Sequence, residues 1–199
     1  MKLFYSPNAC SLAPHIVARE LGMSLDLVRV DLNQHRTAQG EDLYQLNPKG
    51  QVPLLQLANG EYLSEGPVIA QYLADSQPGQ ALLPAAGSLD RVRVVEWQNY
   101  ISTELHKSYT PLFNPQVNAE AKKVLSALLR KKYVWLDSVL AGREFLQGER
   151  FSVADAYLFV VTRWAAYVQL DLTDLPHLQH YMQAIAARPA VQAALQAEG

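Results

Sequence analysis

Cysteine occurs once in this chain, at Cys10, which excludes an internal disulfide and a cysteine-rich metal site. Charge is also sparse: 18% of the 199 residues are Asp, Glu, Lys or Arg, and the formal net charge is −2. A nucleic-acid binder carries a basic patch or stripe, and none is present; nor is there a run of like charge that would form an interaction tail. No apolar stretch reaches the length of a bilayer span. The longest, Ala156 to Val161, is cut by Arg163 and reads as a buried helix. Ser6-Pro7-Asn8 interrupts the N-terminal apolar residues too early for an export signal, so a soluble, cytoplasmic protein is expected. His/Asp/Glu sets at metal-ligand spacing, a Gly-rich phosphate loop and Gly-x-Ser-x-Gly are all missing, and no metal is expected.

What is present starts with a hydrophobic content of 49%, ample for a core. Local signals are densest from Asn47 to Gly66. Val52-Pro53 brings the chain in extended, and Leu54, Leu55 and Leu57 form a short apolar run. Asn59-Gly60 then predicts a hairpin whose primed turn needs positive φ at both central residues, with Tyr62-Leu63 opening the second strand. Pro67 suits the first turn of a helix carrying Val68, Ile69, Tyr72 and Leu73. Donors from a strand end and a helix start can converge there on a carboxylate-sized ligand.

Before that corner, Lys2 to Tyr5 reads as a strand, the helix from Ser11 stops at Gly22, and Leu25 to Val30 reads as a strand. This favours a parallel pair with a right-handed crossover. Residues 35–46 are polar and irregular, with a short helix expected around Glu41 to Gln45. The domains are expected as an α/β unit over 1–77, a Pro/Gly linker over 78–87 and an all-helical domain over 88–199. Helical patterns run over about 88–110, 119–141, 153–168 and 175–187, with a last short one after Pro189. Ser152 and Asp155 form a capping-box pattern at the start of the third of these, a structural signal rather than a catalytic one.

Two groups carry candidate chemistry. Cys10 lies between a strand end and a helix start, where partial positive charge favours a thiolate; a small buried hydrophobe is the competing reading. With Ala13 at the resolving position, a self-contained dithiol cycle is excluded. His106 shares a helix face with Asn99 and Thr103 at i, i+4, i+7 spacing, with Lys107 adjacent, and a solvated polar face is the alternative. Val94, Trp97, Ile101 and Leu105 fall on the packing face, and His15, His177 and His180 are weaker candidates.

Taken in order, Phe4-Tyr5-x-Pro7-x-Ala9-Cys10-Ser11, Asn47-Pro48-x-Gly50-x-Val52-Pro53, Glu65-Gly66, the linker, Thr103-Glu104-Leu105-His106-Lys107 and Ser152-Val153-Ala154-Asp155 resemble the cytosolic glutathione S-transferases over the full length. The first and fifth of these segments point to the bacterial beta class. The resemblance implies a thioredoxin-like N-terminal domain with Pro53 cis, an all-α C-terminal domain, and glutathione as co-substrate. It implies glutathione contacts at Tyr5, Ala9, Cys10, His35, Val52, Pro53, Glu65, Gly66, Asn99, Thr103, Glu104, His106 and Lys107, part of them across a homodimer. Cys10 and His106 flank the sulfur in that family. The electrophile, a small hydrophobic molecule, is expected against Tyr109 and Phe113, with Trp164 a poorer choice. A redox or dehalogenating enzyme using Cys10 covalently is one rival reading, and a non-catalytic binding or stress-regulatory protein another.

Two departures stand out. His35 replaces the Lys that commonly meets the glycyl carboxylate of glutathione, so affinity is expected to fall between about pH 6 and about pH 8. Gly66 replaces a common Ser, which removes a hydroxyl contact and keeps the N–H.

Overall fold

The computed structural model describes residues 1–77 and 82–199. The linker residues Pro78, Gly79, Gln80 and Ala81 lie outside the described residues. The chain forms two compact units, Met1–Leu83 with Ala187–Gly199, and Pro84–Ala186.

In the first unit, β1 (Lys2–Tyr5) runs parallel to β2 (Asp26–Asp31), and α1 (Leu12–Glu20) makes the crossover between them. The apolar positions of α1, including Leu12, Ile16 and Val17, are buried. Gly22 ends the helix at φ 67°, donating to the Arg19 carbonyl while Met23 donates to Ala18. That pair of bonds satisfies two of the orphan carbonyls a helix end leaves behind. A two-residue strand, β3 (Arg36–Thr37), and α2 (Leu43–Leu46) occupy the stretch read as irregular. β4 (Leu54–Gln56), β5 (Tyr62–Ser64) and α3 (Gly66–Asp75) follow, and the sheet order is β3-β2-β1-β4-β5. Leu3 of β1 pairs Leu27 on one side and Leu55 on the other and is fully buried, which fixes the register at the sheet's centre.

The β4–β5 hairpin forms, but not with the primed turn. Gly60 alone takes positive φ, its N–H donates to the Leu57 carbonyl, and Leu57 N–H donates to Glu61. The connection is therefore the three-residue type that ends in a left-handed glycine. One extra residue in the turn relieves Asn59 of the left-handed conformation.

The second unit is helical: α4 (Leu89–Tyr100), a π-helical turn (Ile101–His106), α5 (Lys107–Phe113), α6 (Ala119–Leu140), α7 (Val153–Tyr167) and α8 (Pro176–Ala186). The single helix expected over about 88–110 is thus interrupted. α7 is buried along most of its length, and its start is pinned by the capping box. Asp155 accepts from the Ser152 N–H at 2.8 Å, the Ser152 hydroxyl at 2.6 Å, the Leu146 N–H at 2.8 Å and the Tyr181 hydroxyl at 3.0 Å. Burial pushes the Asp155 carboxyl up, and the donated hydrogen bonds oppose that shift.

The domain expected over 88–199 loses its end to the first unit. α9 (Pro189–Glu198) packs on α1. His15 Nδ1 and Glu198 Oε1 are 2.9 Å apart and both residues are buried, while Arg188 forms a two-pronged pair with Glu20 at 2.6 and 2.9 Å. An apolar helical stripe in the sequence states that a face is buried but not which partner covers it.

Candidate active site

The first unit gathers its candidate residues around a loop. Cys10 sits in the turn ahead of α1, and its thiol donates to the Val52 carbonyl at 3.4 Å. The peptide bond that follows, Val52-Pro53, is cis. Gly66, at the start of α3, lies against the same proline: a Cβ built there would stand 3.6 Å from Pro53 Cγ, in ordinary contact. Tyr5 and Val52 are buried, and Ala9 packs beside the apolar cluster of Phe4, Val30, Leu43, Val52 and Leu54. Cys10, Val52, Pro53 and Gly66 therefore meet at one place.

Glu65, the residue before α3, has φ 72°, a conformation non-glycine residues rarely take. Its carboxylate pairs with Lys49 Nζ, which also donates to the Ser64 hydroxyl at 2.8 Å. Lys49 was not singled out from the sequence; its place inside the Asn47-Pro48-x-Gly50 turn was the only signal. His35 reaches the same loop at Gly50. With a carbonyl as partner, His35 Nδ1 must donate, and it does so to Gly50 at 3.0 Å. Nε2 stands 3.3 Å from the Tyr44 hydroxyl, with the two rings 4.6 Å apart. In the neutral ring Nε2 is then an acceptor, unable to meet a carboxylate until it gains a proton. Gly50, at φ 61°, takes a conformation that favours glycine, and a Cβ there would stand 2.4 Å from the exposed Tyr44 ring, which would have to move.

The second unit presents His106 at the end of the π-helical turn. Glu104, inside the turn, gives its carbonyl to the Ser108 hydroxyl at 2.6 Å and to Lys132 Nζ at 2.8 Å, and its carboxylate pairs with Lys132 at 2.9 Å. The Thr103 hydroxyl bonds back to the Asn99 carbonyl at 3.1 Å. Pro111 cannot donate to the carbonyl four residues back, so the α-helical ladder is already broken beyond the turn. His106 is half-buried, and its Nδ1 lies 2.6 Å from the Tyr157 hydroxyl. The Trp164 ring stands edge-on to it at 4.7 Å.

Trp164 also meets Tyr109 at 5.6 Å and Phe113 at 6.0 Å, which makes it the hub of the aromatic wall rather than its margin. Tyr109, expected to touch the apolar substrate, is fully buried and bonds Tyr133 through its hydroxyl at 2.9 Å. Its ring packs against Phe113 and Trp164, and of these Phe113 is exposed. Burial, reinforced by the neighbouring tyrosine, drives the Tyr109 phenol far up; burial takes Tyr133 to about 12. Burial and the nearby Glu104 take Tyr100 to about 12 as well. None of these phenols is ionised near neutrality, so none serves as a base there. Asn99, Thr103 and Lys107 are exposed. Trp97, expected in the core, is only partly buried, meeting Tyr100 edge-on and Trp135 at a tilt, while Val94, Gln98, Ile101 and Leu105 face inward. Among the described residues no cluster of three or more His, Cys, Asp or Glu side chains is built to hold a metal ion.

Comparison with known proteins agrees with this geometry. Residues 9–76 match the N-terminal domain of glutathione S-transferases, and residues 100–189 match the C-terminal domain. The chain is 51% identical to glutathione S-transferase GstA of Escherichia coli O157:H7, covering 100% of this chain and 99% of that protein. Among solved structures, a sphingomonad glutathione S-transferase complexed with glutathione superposes with a TM-score of 0.96 at 48% identity, covering 100% of this chain and 99% of that one. The beta-class enzyme of Sphingomonas chungbukensis gives a TM-score of 0.96 at 46% identity, again covering 100% and 99%. The chain belongs to the glutathione S-transferases, in the bacterial beta class.

Proposed function

We propose that this chain binds glutathione, stabilises its thiolate and directs the sulfur at an electrophilic carbon of an apolar substrate, a detoxifying conjugation. The observation that carries the reading is the corner where the Cys10 thiol, the Val52 carbonyl, cis-Pro53 and Gly66 converge. The Val52 backbone pairs with the cysteinyl part of the tripeptide, while Glu65 and the Gly66 N–H hold the γ-glutamyl end. His35 serves the glycyl carboxylate. Tyr5, Ala9, Asn99, Thr103, Glu104 and Lys107 complete the set as the less direct contacts. Cys10 and His106 serve the sulfur. A free thiol with a pKa of about 8.5 is only about 3% ionised at pH 7, and lowering it by two units takes about 2.7 kcal/mol. One or two hydrogen bonds to the charged sulfur, with help from a helix start, are of that size. Phe113 and Trp164, with Tyr109 behind them, receive the electrophile.

The enzyme is proposed to act as a homodimer. Supporting this are exposed apolar side chains in each unit taken by itself, Val68 and Tyr72 one turn apart on α3, and Leu89, Val92 and Val95 at successive turns of α4. A cytoplasmic location fits the chemistry, since a reduced tripeptide and a reduced Cys10 thiol persist in a reducing compartment.

A second reading rests on the partly exposed Cys10 thiol. As a thiolate it would attack glutathione disulfide, forming a mixed disulfide and releasing one glutathione thiolate. Retention on immobilised glutathione followed by conjugation assays with a panel of aromatic halides tests the first reading. The Cys10→Ala variant separates the two: conjugation survives in part under the first and thiol-transferase activity vanishes under the second. Failure to bind glutathione at all would defeat both.

A further inference from the structure

We infer that Tyr157 is a positioning residue that fixes the tautomer of His106, so that the imidazole offers an N–H, not a lone pair, to the glutathione sulfur. The inference rests on the proposed role of His106 at that sulfur. Tyr157 lies on α7, is 3% exposed, and places its hydroxyl 2.6 Å from His106 Nδ1. Its position is rigid, because Asp155, two residues earlier, is bound by Ser152, Leu146 and Tyr181. Trp164, two helical turns further along α7, confronts the same imidazole edge-on, so one helix holds the ring at two points.

The direction of the hydrogen bond follows from acidity. A phenol is a better donor than a neutral imidazole N–H, and an imidazole nitrogen is a better acceptor than a phenol oxygen. The Tyr157 hydroxyl therefore donates to Nδ1, and the ring's own proton resides on Nε2. With the opposite tautomer Nε2 would present a lone pair, which repels a thiolate. The partner at one ring nitrogen thereby decides what the other can do. The π-helical turn contributes by carrying His106 at its last position, where α5 begins.

The test is a two-bond proton–nitrogen correlation on protein labelled with 15N-histidine, the His106 signal being assigned among the five histidines with His106→Gln. The expected wild-type pattern has Nε2 protonated and Nδ1 bare. In Tyr157→Phe the two tautomers mix, and kcat/KM for conjugation falls about tenfold, the size of one lost hydrogen bond. A wild-type proton on Nδ1 overturns the inference whatever the variant does. So does an unchanged tautomer or an unchanged rate in Tyr157→Phe while His106→Gln is impaired. Full activity in His106→Gln would instead defeat the reading of His106 on which the inference stands.

Discussion

The two units build their parts of the chemistry from different materials. In the first, the site is made of backbone: a cis proline, a glycine at φ 61°, and His35 and Glu65 held at φ 51° and 72°. In the second it is made of side chains projecting from long helices, with an imidazole gripped by a tyrosine and a tryptophan. Backbone sites depend on a few residues whose conformational needs are special, so their failure is abrupt. Side-chain sites depend on packing spread over many contacts, and damage there is graded unless it strikes a buried polar hub.

The largest effect is expected at such a hub. Asp155→Ala removes a buried acceptor of several hydrogen bonds and strands its donors, which should cost about 3 kcal/mol or more. Denaturant unfolding would register it, and a loss below about 1 kcal/mol would mean that the hub is dispensable. Gly50→Ala comes next. It adds a strained φ and forces the exposed Tyr44 ring away from His35, so a loss of about 1–2 kcal/mol and a drop in glutathione affinity are expected together. Calorimetric titration alongside thermal melting checks the pair, and destabilisation without loss of affinity would separate the loop from the binding site.

A smaller effect concerns protons. Because Nε2 of His35 accepts from Tyr44 in the neutral ring, meeting a carboxylate requires proton uptake. A side chain that already carries the charge should therefore hold the glycyl carboxylate more tightly, and His35→Lys should raise glutathione affinity several-fold; unchanged affinity in the variant would remove His35 from the site. The smallest effect is a gain. Gly66→Ser fits without a clash, since its Cβ meets Pro53 only at 3.6 Å. The added hydroxyl should tighten glutathione binding by a fewfold, about 0.5–1 kcal/mol. No change would indicate that the N–H alone satisfies the ligand.

The same contrast explains what could be read before any coordinates. Pro53, Gly22, Gly60 and Pro67 announce turns and helix ends through their own stereochemistry, and the elements around them stand close to where the residues pointed. The Ser152–Asp155 box was legible for the same reason, though not that Leu146 and Tyr181 share its carboxylate. Asn59 misled because Asn-Gly suits more than one hairpin turn, and the choice lies in the strand register rather than in the dipeptide. The π-helical turn left no trace in the spacing of Asn99, Thr103 and His106, since Lys132, which satisfies its carbonyl, comes from another helix. Tyr157 was hidden likewise: nothing local relates it to His106, 51 residues earlier. The partners of α9 and of Tyr109 depended equally on contacts distant in sequence.

The central claim is that this protein holds the sulfur of glutathione as a thiolate, through Cys10 and His106. Following the ultraviolet absorbance of bound glutathione as pH is raised, in wild type and in Cys10→Ala and His106→Gln, tests it most directly. The expected result is a bound thiol ionised well below the free value of about 8.5, moving back toward that value in each variant. A bound thiol that titrates as free glutathione does, in the wild-type protein, would contradict the account.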